Sequence, residues 1–157
     1  MTIPNERGHV VDAGDGNHIW FSGTLMTVKA GGEQTRNGFT LIEVTTPHSF
    51  VVPPHIHEDE EEGFYILEGQ LRVTCGSDTS TLGPGDFVML PRGVRTPAPP
   101  WVTGGARLLQ ITAPPGFERF ILDGGEPAPE PTVPPPGEPD VARILSAMAK
   151  HHKQMAQ

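Results

Sequence analysis

Two histidines and a carboxylate are the residues of this chain best suited to do chemistry. His55-Ile56-His57 follows Pro53-Pro54 and precedes the acidic run Glu58-Asp59-Glu60-Glu61-Glu62. On extended backbone, residues two apart point to the same side, so both imidazoles can reach one point. The two prolines stiffen the approach to them. Glu62 opens the apolar stretch that leads to Gly69, where a carboxylate can close the set from a second strand. Two imidazoles and one carboxylate, with coordination positions left over, suit one divalent ion of iron, nickel, manganese, cobalt or zinc. Each part also has a plainer reading. A lone His-x-His occurs by chance on surface strands, and an acidic run is usually a solvated loop.

These side chains need extended backbone to hold them, and the chain supplies it. Short strand-like runs, punctuated by Gly, Asn or Pro, stand at His18–Phe21, Thr24–Ala30, Phe39–Thr46, Asp86–Leu90 and Arg107–Thr112. Gly63–Thr74 reads as two apolar runs joined by a hairpin turn at Glu68-Gly69. Strands at this spacing, with no helical period between them, make an all-β sandwich or barrel. Gly116–Leu122 predicts a short helix, and seven prolines between residues 126 and 139 predict an extended linker. Val141, Ile144, Leu145, Met148 and Met155 then recur at helical spacing behind Asp140, a good N-cap, so a C-terminal α-helix is expected over 140–155. The expected organisation is an N-terminal arm (1–20), a barrel (21–125), the linker (126–139) and the helix segment (140–157). His151 and His152 are adjacent and share no helix face, so they read as a solvated tail.

Composition limits the partners. Eleven basic against nineteen acidic residues leave a net charge of -8, which repels phosphate backbones and argues against nucleic acid. No apolar stretch approaches the roughly 18 residues a membrane span needs, and the first ten residues carry no secretory apolar core. The expected location is cytoplasmic. Cys75 is the single cysteine and reads as a small hydrophobe without a chemical role.

The spacing around the histidines resembles the cupin superfamily. Its first motif has His-x-His, a Glu three or four residues later, six residues, then Gly; here these are His55, His57, Glu62 and Gly69. Its second motif is Gly, five residues, Pro, any residue, Gly; here these are Gly85, Pro91 and Gly93. Phe64–Gly69 and Pro115–Phe120 look like single-domain cupins related to quercetin dioxygenases. The resemblance implies an all-β cupin double-stranded β-helix, a small jelly-roll barrel. It implies metal ligation by His55, His57 and Glu62, with His57 and Glu62 catalytic. Phe64 and Ile66, sharing parity with Glu62, would line the pocket together with Thr96.

Thr96 is where the chain departs from the family, which places a third histidine at that point. Its neutral hydroxyl is a poor ligand. Three outcomes follow: a metal held by three protein ligands and extra water, a metal lost and the pocket reused, or a distant histidine (His9, His18 or His48) recruited. The function expected from the resemblance is a metal-dependent dioxygenase acting on an aromatic, flavonol-like or polyketide-like molecule with O2. The alternatives are a metal-free cyclase, isomerase or dehydratase using His and Glu as acid and base, and a non-catalytic small-molecule binder. A homodimer is expected, with the arm suited to swapping onto a neighbour.

Overall fold

The structure, a computed structural model, describes residues 7–50, 55–56, 58–94, 101–151 and 154–155; within these, side chains are not described at 55–56, 101–104 and 154–155. In chain order the strands are β1 (Asn17–Phe21), β2 (Thr24–Ala30), β3 (Thr40–Thr46), β4 (His55–Ile56), β5 (Glu61–Cys75), β6 (Asp78–Leu82), β7 (Phe87–Leu90) and β8 (Trp101–Ala113). Then come α1 (Phe117–Gly124), β9 (Glu126–Pro127), α2 (Val141–Lys150) and β10 (Gln154–Met155). An eight-stranded antiparallel sheet runs β6-β5-β8-β3-β2-β1-β9, with β7 also on β5; β4 and β10 form a separate pair. This is the all-β jelly roll expected, carrying two short helices after the barrel. No helix among the described residues is long and apolar enough to cross a membrane.

The strands form where side chains alternate. β3 is the plainest case: Thr40, Ile42, Val44 and Thr46 are buried, and Leu41, Glu43 and Thr45 between them are not. Ile19, Met26, Ile42, Val44, Ile66, Leu71, Val73 and Leu108 build the core. β1 and β2 are joined by Ser22-Gly23, both at positive φ, as tight hairpin turns require.

The hairpin expected at Glu68-Gly69 is not there. β5 runs straight through as one 15-residue strand. Its register against β8 shifts between Ile66 and Glu68 and again between Gly69 and Gln70, which is a bulge. Gly69 sits at φ 77°, and a Cβ there would lie 2.0 Å from the Gly105 carbonyl oxygen. Two apolar runs around Glu-Gly therefore mark a change of face, not of direction. Glu62 and Ile66 point inward before the bulge; Leu71 and Val73 do so after it. The true reversal comes at Gly76-Ser77, which leads into β6, a strand too polar (Asp78-Thr79-Ser80-Thr81-Leu82) to show in the pattern. At the other motif, Asp86 Oδ2 accepts from the Gly83 amide at 2.8 Å, and Gly85 takes φ 88° to bring the chain back into β7.

Two further segments differ from expectation. The arm does not end at residue 20: β1 starts at Asn17 and lies between β2 and β9 of its own chain. Nor does the proline segment run free. Pro127 pairs opposite Ile19, the Ala128 amide donates to His18 O, and Trp20 Nε1 donates to Thr132 O at 2.7 Å. β1 and the stretch from Glu126 to Thr132 thus pack on the barrel of their own chain.

α1 buries Phe117, Phe120 and Ile121 and is pinned by its own Glu118. That carboxylate is buried and accepts from the Gly32 amide at 3.0 Å, the Gly116 amide at 2.8 Å and the Thr40 hydroxyl. Burial alone would raise its pKa, but these donors outweigh burial and hold it below the usual carboxylate range. α2 packs on α1 behind the N-cap Asp140, whose Oδ1 accepts from Arg143 N at 3.0 Å. It stops at Lys150, short of the expected residue 155, and His151 caps it.

A Glu whose folded pKa is depressed adds stability above its unfolded value of about 4.3 and loses it as pH falls through the folded value. Replacing Glu118 with Gln is expected to cost about 1–3 kcal/mol at pH 7 in urea unfolding. The stability of the variant should also fall less steeply than that of the natural chain as pH drops below about 4.

Candidate functional site

The barrel interior is organised in layers set by strand register. Glu62 stands opposite Thr112 on β8, and Thr112 opposite Thr40 on β3. The next layer holds Phe64, Gln110 and Ile42, and the one beyond it Ile66, Leu108 and Val44. The interior therefore runs from polar at the Glu62 end to apolar at the Ile66 end.

Glu62 is only 5% exposed, and its Oε1 accepts from Gln110 Nε2 at 2.6 Å. The contact is diagonal, from one layer to the next, a reach long side chains make across antiparallel strands. Gln110 is itself buried. Its N–H fixes the plane of the carboxylate. Glu61, its neighbour in the acidic run, points the other way. Arg92 donates to both of its carboxylate oxygens at 2.8 and 2.7 Å, and this pairing holds its pKa below the usual range. Strand parity thus selects Glu62 over Glu61 as the interior acid. Glu60 is buried as well.

Of the other expected site residues, Ile66 is fully buried in the core and Phe64 is partly buried against it, both on the Glu62 face. His55 lies on β4, with its side chain not described, and His57 and Thr96 lie outside the described residues. Among the described residues no group of three or more His, Cys, Asp or Glu comes together as a metal site. Of the distant histidines, two have hydrogen-bond partners of their own and one is exposed. His9 Nε2 is 2.7 Å from Lys29 O, His18 Nδ1 is 2.9 Å from Thr27 Oγ1, and His48 is exposed. Two residues were not singled out from sequence: Gln110, which holds Glu62, and Thr112, whose buried Oγ1 has no hydrogen-bond partner among the described residues.

A surface groove of about 380 Å³ lies at the bulge, lined by Thr45, Thr46, Glu68, Gly69, Gly105 and Arg107. It sits at the far end of the layers from Glu62. Its cation, Arg107, is already paired with Glu68 at 2.7 Å and Glu43 at 3.3 Å.

Residues 41–96 match the family model described as cupin domain, which spans both histidine and glycine motifs. The chain carries a cupin domain. Within the cupins it is 28% identical over 93 residues to a quercetin 2,3-dioxygenase of Bacillus subtilis (strain 168). That match covers 59% of this chain and 28% of that protein, so the chain spans under a third of its relative's length. An RmlC-like cupin from Shewanella frigidimarina superposes with a TM-score of 0.59 at 17% identity, over 71% of this chain and 95% of that one. A predicted oxalate decarboxylase from Thermotoga maritima gives 0.57 at 18% identity, over 66% and 96%. At such identities the two structures speak for the cupin fold alone.

Gln110→Leu removes one donor from the buried Glu62 carboxylate, so the variant is expected to lose roughly 1–3 kcal/mol of stability at pH 7. Urea unfolding at that pH measures it.

Proposed function

We propose that this cupin is a metal-dependent oxidoreductase of the dioxygenase type, acting on a small aromatic, flavonol-like or polyketide-like substrate with O2. The observation that carries the reading is the inward, buried Glu62 held by Gln110, on the strand that follows His55 and His57. The similarity to a quercetin 2,3-dioxygenase supports the choice of chemistry.

The donor set fits a divalent ion: two imidazoles presented two residues apart and one carboxylate fixed in orientation. An ion held by His55, His57 and Glu62 would supply Lewis acidity to an enol or hydroxyl oxygen of the substrate. Glu62 would also take the proton from that oxygen, as ligand, base or both. Gln110 keeps the carboxylate in one orientation through the transfer. Phe64, partly buried on the Glu62 face, would supply the apolar wall for an aromatic ring, with Ile66 packed behind it in the core. A second reading, a metal-free acid–base enzyme using His57 and Glu62, is favoured by Thr96 standing where a third histidine belongs. A homodimer is the assembly proposed, through the exposed outer-face side chains Tyr65, Phe87, Met89 and Ile111.

Protein reloaded with Fe(II), Ni(II) or Co(II) is expected to hold about one ion per chain by plasma mass spectrometry. His57→Ala and Glu62→Gln should each lose it. Glu62→Gln should also lower flavonol-dependent oxygen uptake by about 10²–10⁴-fold. Thr96→His should tighten metal binding by restoring the fourth ligand. Substoichiometric metal after every loading sinks the reading. Turnover that survives exhaustive chelation but dies in His57→Ala carries the second one instead.

A further inference from the structure

The strand that bears the first histidine has an unusual partner. β4 is two residues long and lies outside the main sheet. Among the described residues the strand that pairs with it is β10, from the segment after α2, in antiparallel register Gln154↔Ile56 and Met155↔His55. So short a pair has little stability in isolation. Something must hold β10 in place, and the structure shows the anchor.

His151 ends α2 with its Nε2 2.6 Å from Asp123 Oδ2 on α1 and its ring set edge-on against Phe120, centroids 6.1 Å apart. Lys150 Nζ reaches the same carboxylate oxygen at 2.8 Å, and Arg143 Nε donates to Asp123 O at 3.0 Å. The tail expected to be solvated is thus tied down at its start. Two residues separate His151 from Gln154, a leash of about 10 Å at full extension. Such a tether keeps β10 at high effective concentration beside β4, which compensates for the shortness of the pair. α1 in turn is fixed to the barrel through Glu118, Thr40 and Gly32.

We propose that the segment after α2 is a positioning element of the site: β10, anchored by His151 and Asp123, holds the backbone of His55–Ile56 extended at the start of the His55-Ile56-His57 motif. The consequence for metal rests on the reading under Proposed function, whereas the effect on backbone order does not. Residues two apart share a side only on extended backbone, so the order of this short strand bears on how the motif can act.

The test uses the full chain carrying Gln154→Pro with Met155→Pro, which removes both β10 amide donors and leaves α2 intact. His151→Ala is the second variant, cutting the anchor instead of the strand. Two readouts are taken: hydrogen exchange across His55–Ile56, and titration with Co(II) followed by its d–d absorption band. The expected result is faster exchange at His55–Ile56 in both variants, with Co(II) binding weakened about 10–100-fold and its band displaced. Unchanged exchange with unchanged Co(II) affinity and band overturns the proposal. Should the natural chain bind no Co(II), the metal reading fails, and exchange at His55–Ile56 alone then decides for or against the clamp.

Discussion

Strand register governs this molecule. β5, β8 and β3 lie side by side, and their pairing decides which residues from three distant stretches meet inside the barrel. A slip of one residue would turn each inward side chain outward. In the observed register a carboxylate, a threonine and a second threonine form one layer, and apolar side chains fill the layer two steps further on. The apolar end supplies the burial that keeps the barrel closed. The polar end spends part of that stability, because each buried polar group there needs a partner or costs free energy.

Thr40 ties this interior to the rest of the chain. It shares the layer of Glu62 and Thr112, yet its hydroxyl goes to Glu118 on α1. The helix that anchors α2 is therefore docked on the polar end of the barrel. Thr112, between Glu62 and Thr40, keeps a buried hydroxyl without a hydrogen-bond partner among the described residues.

Much of this was legible in the sequence, and the failures have physical causes. The motifs located the barrel and Glu62 because both depend on local spacing: glycines at positive φ in tight turns, and acids at fixed parity from a turn. β6 is silent in the sequence because a polar edge strand has no alternation to read. Glu-Gly between apolar runs suits a turn and a bulge alike, and only pairing with β8 along the length of β5 separates them. Gln110 is hidden for a different reason. On β8 the apolar Ile111 is partly exposed while Gln110 and Thr112 are buried, so the usual pattern is inverted at the site. The tail after α2 was beyond reach, since nothing local to Gln154–Met155 names β4 as its partner.

The bulge at Gly69 has a consequence for how this protein can change. Because the inward face switches from even to odd positions there, the two halves of β5 answer to different neighbours: β7 before the bulge, β6 after it. The two halves still share β8 and one core, so the bulge lets a single strand present Glu62, Phe64 and Ile66 on one side of it and Leu71 and Val73 on the other to the same interior. That arrangement holds only while position 69 is Gly, where the Gly105 carbonyl leaves no room for a side chain.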